Sequence, residues 1–224
     1  MTPSPIDPVL LERIEGKLRA DLRPVRPRPA AGVLVAMLIA IAGLVAVWGA
    51  RTLGFYGWHK LAPGTAAAIL VPLAIAIAIL AIASVNAMIP GARRIAHPAV
   101  LLGAACVVMV GVFATVFDDH RTDGFVRQGW PCLRGGLIWA APAGLAIGLM
   151  LRRGFAVDRR AAGIAIGGLA GLAGLTMLEL HCPNFRLAHI AAWHTAVVPI
   201  AALVGCISGW KRTWSINAET GSSE

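Results

Sequence analysis

Six apolar stretches of about 20 residues dominate this chain, and that is the length a helix needs to cross a hydrocarbon core about 30 Å thick. They cover approximately 30–50, 64–85, 98–117, 133–151, 161–180 and 188–209, are rich in Ala, Leu, Ile, Val and Gly, and are separated by short segments that hold nearly all the charge. Inside a bilayer no water is at hand to pair backbone groups, so such a run folds as a helix whose hydrogen bonds are internal. The expected fold class is therefore all-α: a polytopic membrane protein, a six-transmembrane-helix bundle. Composition agrees, since 58% hydrophobic against 14% charged residues, with a mean hydropathy of +0.74, leaves too little polar surface for a soluble fold. The first run follows 29 mostly polar, proline-containing residues and has no small-residue cleavage site, so it reads as a retained span and not a signal peptide.

Basic residues set the expected orientation, because cytoplasmic loops are enriched in Lys and Arg. Of the 20, fourteen lie in the N-terminal segment, the second and fourth loops and the C-terminal segment, and six lie on the opposite side. Both termini are thus expected in the cytoplasm. Three parts follow: a cytoplasmic segment 1–29, a transmembrane domain 30–209 and a cytoplasmic tail 210–224. The net charge of +9 reads as a topology signal, since its dispersal along membrane flanks without a compact basic fold argues against direct nucleic-acid binding. Trp48, Trp58, Trp210 and Trp214 fall where aromatic side chains anchor a protein at headgroup depth.

The N-terminal segment predicts a short amphipathic helix. Asp7 before Pro8 reads as an N-cap followed by proline at the first helical position. Leu11, Ile14, Leu18 and Leu22 then recur at helical spacing, with Glu12, Glu15, Lys17, Arg19 and Asp21 on the other face, and Pro24, Pro27 and Pro29 end the pattern. A helix of about 15 residues is marginal alone in water. Its stripe needs a surface to bury against: the membrane, the inner ends of the bundle, or a groove on a cytoplasmic partner. Within the spans, Gly163, Gly167 and Gly171 recur every fourth residue, a spacing that lets membrane helices approach closely. Pro72, Pro142 and Pro199 fall inside the second, fourth and sixth spans, where proline kinks helices.

Four cysteines divide by depth. Cys106 and Cys206 lie inside apolar runs and read as buried structural thiols. Cys132, in Trp130-Pro131-Cys132-Leu133-Arg134, is expected in a turn entering the fourth span, and Cys182, in His181-Cys182-Pro183-Asn184, in a turn leaving the fifth. Both face one compartment, and in an oxidising one two such thiols can pair. Arg134 and His181 are near enough in sequence to favour a thiolate, given the right side-chain directions. Glu179, His181, Asn184, His189 and His194 make this end unusually polar for a membrane protein. Glu179 and Cys182 are expected on one helix face, His189 and Trp193 on one face of the next. Three readings follow: a hydrogen-bonded polar cap with Glu179 paired to a His or Arg, a thiol redox switch, or a regulatory site for a zinc- or cadmium-like ion on Cys132, Cys182 and His181. None makes a cofactor a requirement. Asp118, Asp119, His120 and Asp123 add an acidic run on the same side, either solvated loop or an approach for cations.

Three features together resemble the NrsF-type membrane anti-sigma factors of proteobacteria: the Leu-rich helix followed by Asp21-Leu22-Arg23-Pro24-Val25-Arg26-Pro27, the Pro131-Cys132 pair, and His181-Cys182-Pro183 followed by His189 and Trp193-His194. The resemblance covers nearly the whole chain. It implies a six-span protein of the bacterial inner membrane that holds an extracytoplasmic-function sigma factor on the cytoplasmic side. Release is implied when heavy metal or oxidant reaches paired cysteines, which here are Cys132 and Cys182. The sigma-holding region corresponds to the N-terminal segment, where the stripe suggests Leu11, Ile14, Leu18 and Leu22 as contacts. No catalytic role is implied. A membrane thiol–disulfide oxidoreductase is a rival, but it would be expected to carry a closely spaced Cys-x-x-Cys pair, which this chain lacks. A small metal or ion transporter would be expected to carry ionisable residues deeper in the spans.

Overall fold

The computed structural model describes residues 8–21, 29–89, 92, 96–152 and 158–220, with side chains at 10, 20, 21 and 210–220 left out of the description. The chain divides into two units, Met1–Ala30 and Ala31–Glu224. In the first, helix α1 spans Pro8–Asp21, with the proline at its start, where a missing N–H costs nothing. Leu11, Ile14 and Leu18 are exposed. Arg19 Nη2 meets Glu15 Oε1 at 2.7 Å, one helical turn apart. Asp7, Leu22, Pro24 and Pro27 lie outside the described residues.

Among its described residues the second unit is built of helices joined by loops: α2 (Ala31–Leu53), α3 (Pro63–Asn86), α4 (Pro98–Val116), α5 (Phe125–Leu151), α6 (Arg159–His181) and a short α7 (Leu187–His189) that passes through a π turn, Ile190–His194, into α8 (Thr195–Thr220). Among the described residues, six helical segments are long and apolar enough to cross a membrane, the last being Leu187–Gly209. Local chemistry sets several starts. Pro63 and Pro98 open α3 and α4, and the Asp158 carboxylate accepts the Ala161 N–H at 2.9 Å to cap α6.

The fourth span begins eight residues before the expected 133. Gly124, in the left-handed region at φ 68°, ends the preceding loop, and α5 starts at Phe125. Trp130-Pro131-Cys132 is therefore part of the helix and not an entry turn. Pro131 is accommodated at the loss of the bond that its absent N–H would have made to the Arg127 carbonyl. Pro72, Pro142 and Pro199 lie inside α3, α5 and α8.

Helix α6 is the centre of the bundle. Sixteen of its 23 residues are buried, and it packs against α2, α3, α4, α5 and α8. Lipid tails are as apolar as leucine, so association of these helices depends on close packing rather than on escape from water. Small residues supply it. A Cβ on Gly163 would strike the Gly205 carbonyl, one on Gly167 the Ala201 carbonyl, and one on Gly205 the Gly163 carbonyl. Helices α6 and α8 thus touch backbone to backbone. Large apolar side chains such as Leu44, Val107, Leu145 and Leu203 are exposed, where lipid would solvate them. Two hydroxyls within the bundle bond back along their own helices, Ser84 to the Leu80 carbonyl at 2.7 Å and Thr176 to that of Leu172 at 2.8 Å, which satisfies them without water, whereas the buried Thr195 hydroxyl has no partner. Trp48 and Trp58 are exposed; the side chains of Trp210 and Trp214 lie outside the described set.

Candidate functional site

The α2–α3, α4–α5 and α6–α7 connections meet at one end of the bundle and are tied together. The Gly57 N–H donates to the His181 carbonyl at 3.0 Å. His181 Nδ1 lies 2.9 Å from the Gly54 carbonyl, an acceptor, so that nitrogen carries the proton. Tyr56 stands edge-on to the same imidazole. On the other side, the Leu187 N–H donates to the Asp119 carbonyl at 2.9 Å, Arg186 Nη1 to the Asp123 carbonyl at 2.6 Å, and Asn184 Nδ2 to Gln128 Oε1 at 2.9 Å. The Asp119 carboxylate accepts from Arg121 Nε at 3.0 Å and lies 3.8 Å from Arg186 Nε. The hydrogen bonds from Arg121 hold its carboxyl below the usual carboxylate range. Part of the acidic run is therefore spoken for by two arginines.

Beneath these loops four side chains from three helices converge. Cys132 comes from the second turn of α5 and Cys182 from the residue that ends α6; both are free thiols, with sulfurs 3.6 Å apart. His189 Nε2 stands 3.6 Å from Cys182 Sγ. With His194 included, the four donor atoms all lie within 4.8 Å of one another. Behind them the Glu179 carboxylate meets His194 Nδ1 at 2.7 Å, with side-chain exposures of only 3% and 1%. His194 Nε2 is then the ring's unpartnered nitrogen, and His189 Nδ1 is unpartnered too. A buried polar atom without a partner costs about 1–3 kcal/mol. The Cys182 thiol is pushed above the ordinary thiol range, first by the hydrogen bond it shares with Cys132 and then by burial, against the opposing influence of His189 and His194.

The π turn explains why these two histidines meet. Residues five apart on an α-helix lie about 140° from one another around the axis. A turn closed by i→i+5 bonds is wider and brings them onto one side. The His189 and His194 rings are 5.1 Å apart at an interplanar angle of 75°. Trp193, inside the same turn, lays its indole where a Gly129 side chain would have stood and tilts against Phe125 at 5.2 Å. The turn is thereby clamped to the stretch of α5 that carries Cys132.

The structure brings together Cys132, Cys182, His189 and His194, with Glu179 behind. It does not bring His181 to the sulfurs: that ring faces the α2–α3 loop, because its Nδ1–H finds the Gly54 carbonyl there. Arg134 is exposed. His189 shares its face with His194 and not, as helical spacing predicts, with Trp193. Cys106 and Cys206, half-buried and free, line a separate groove between α4 and α8. Chemically, the cluster offers two thiols in contact at 3.6 Å and two imidazoles that can serve as neutral donors. That set suits either a disulfide or a soft-to-borderline cation.

Residues 18–212 match the family model described as NrsF, negative regulator of sigma F. No curated protein and no solved structure matches the chain.

Proposed function

The chain belongs to the NrsF family of negative regulators of sigma F, and from that membership we propose that it is an anti-sigma factor of the bacterial inner membrane which holds an extracytoplasmic-function sigma factor on the cytoplasmic side and releases it when heavy metal or oxidant acts on Cys132 and Cys182. The observation that carries the sensing half is the meeting of two free thiols, 50 residues apart in sequence, at 3.6 Å. Support for the holding half is the exposed stripe Leu11, Ile14 and Leu18 of α1, which Leu22 extends in sequence. Anchors at this spacing suit a hydrophobic groove. The excess of basic residues in the terminal segments favours a cytoplasmic location for both ends.

Bridging the two sulfurs, by a bond or through a cation, fixes the start of α5 to the end of α6. Release then requires the bridged arrangement to present α1 differently from the open one. Driving such an equilibrium from almost all bound to almost all released takes about 5.5 kcal/mol of differential stabilisation. Metal–thiolate sites supply on the order of 10 kcal/mol. The protein acts in this reading as a regulator and not as a catalyst.

The test is co-purification of sigma factors with tagged protein from detergent-solubilised cells, with and without cadmium or diamide. Wild type should hold a sigma factor and lose it under stress; Leu11→Asp/Leu18→Asp should never hold it; Cys132→Ser/Cys182→Ser should hold it regardless of stress. Absence of a sigma factor from every sample would end the proposal.

A further inference from the structure

Resting on the reading of Cys132 and Cys182 as the sensing pair, we infer that their ligand is a single zinc-class divalent cation in a closed Cys2His2 site completed by His189 and His194, with Glu179 as the outer partner of His194, and that loading this site shields the thiols from oxidation.

Distances argue for it first. With bonds of about 2.3 Å to sulfur and about 2.05 Å to imidazole nitrogen, a tetrahedral ion sets sulfurs about 3.8 Å apart and sulfur and nitrogen about 3.6 Å apart. The structure has 3.6 Å for Cys132 Sγ to Cys182 Sγ and 3.6 Å for Cys182 Sγ to His189 Nε2. Two of the six donor separations thus match the edges of such a tetrahedron, and the other four lie within 4.8 Å.

Unmet valence argues for it second. His194 is 1% exposed, its Nδ1 is committed to Glu179, and its Nε2 has no partner. A carboxylate behind a histidine fixes the tautomer that leaves the other nitrogen free to ligate. The π turn that aligns His189 with His194 gains a purpose in the same way: such turns gather at functional sites. Charge agrees as well. Two thiolates balance a dication, while the imidazoles enter neutral, so little net charge is buried by the ion and its direct donors.

Four protein donors leave no open coordination position, the pattern of sites that hold an ion rather than use it on a substrate. Loading exchanges two thiol protons for one cation. Oxidation by diamide instead removes two electrons and two protons from the same sulfurs, joins them, and reduces the azo bond to a hydrazine. The same sulfur electrons are required in both cases. Metal and oxidant are therefore alternative inputs to one site and exclude one another.

Full-length protein in detergent, titrated with cadmium, should retain one ion per chain after gel filtration and show thiolate-to-metal absorption. Cys106→Ser/Cys206→Ser should match wild type. Cys132→Ser should lose the ion, His189→Ala and His194→Ala should weaken it at least tenfold, and Glu179→Gln should weaken it about 10–100-fold. A measurement that needs no variant is diamide treatment of wild type followed by thiol alkylation and mass determination: the loaded protein should keep both thiols and the metal-free protein should form the disulfide. Failure of wild type to retain cadmium, full affinity in both histidine variants, or equal oxidation with and without cadmium would each overturn the inference. Sigma-factor co-purification on the same samples separates the two proposals. A protein that holds its sigma factor but no cadmium refutes the metal site alone, and one that binds cadmium as described but never a sigma factor refutes the regulatory reading alone.

Discussion

The Glu179 carboxylate lies 2.7 Å from His194 Nδ1 with both side chains sealed inside the bundle, so the last turn of α6 and the π turn before α8 are joined by a pair that solvent cannot replace. Truncating one partner strands the other. Leaving a buried hydrogen-bonding group without its partner costs about 1–3 kcal/mol. Glu179→Ala should lower the unfolding midpoint in detergent by several degrees, and Glu179→Gln by less, because the amide oxygen still accepts the Nδ1–H. Equal midpoints for the two variants would contradict this account.

The α6–α8 seam predicts a strong asymmetry among glycines. Gly167→Val puts a branched side chain into the Ala201 carbonyl, and Gly163→Val does the same at Gly205. Overpacking of this kind costs about 1–3 kcal/mol or more where the obstacle is backbone. A Cβ on Gly43 or Gly103 meets nothing within 4 Å. Alanine there should be neutral or stabilising by up to about 1 kcal/mol. Thermal unfolding and the monodisperse fraction on gel filtration read both effects; a tolerated Gly167→Val would break the seam argument.

For Cys182 the direction of the pH response follows from its raised pKa. A thiol held above its ordinary range stays protonated to higher pH. Alkylation of Cys182 in metal-free Cys106→Ser/Cys206→Ser protein should therefore rise with pH along a curve displaced upward from that of free cysteine. Adding Cys132→Ala removes the largest cause, the shared hydrogen bond, and should bring the curve down in pH. A rate profile that Cys132→Ala leaves in place would refute that cause.

His181→Ala tests the placement of that ring. Losing its bond to the Gly54 carbonyl should cost about 1 kcal/mol and loosen the α2–α3 connection. Faster amide exchange across residues 54–62 is the expected result, with cadmium retention unaltered. A loss of cadmium as large as that of His194→Ala would mean that the ring reaches the sulfurs after all.

How far the sequence is legible differs between spans and site. Long apolar runs announce themselves, because the bilayer admits little but helix, and the first three, fifth and sixth spans begin and end within about three residues of the expected limits. The first two turns of α5 escape notice because Arg127, Gln128 and Pro131 read as loop, although Gly124 ahead of them marks the start. Cys132 and Cys182 stand out as a pair from their shared end of the bundle. The identity of their histidine companions does not, since helical spacing joins His189 to Trp193. Nothing in the sequence announces an i→i+5 turn, although two histidines five apart beside a cysteine hairpin are the trace it leaves.

Helix α8 begins where the π turn ends and continues for 26 residues, about 39 Å at the usual rise. From Val198 to Gly209 its neighbour is largely the bare backbone of α6, with no layer of long side chains to yield between them. Soft interfaces absorb a push; this one has no cushion. A shift at His194 would be carried along α8 as far as Gly209, where the helix still rests on the Arg159 carbonyl at the start of α6.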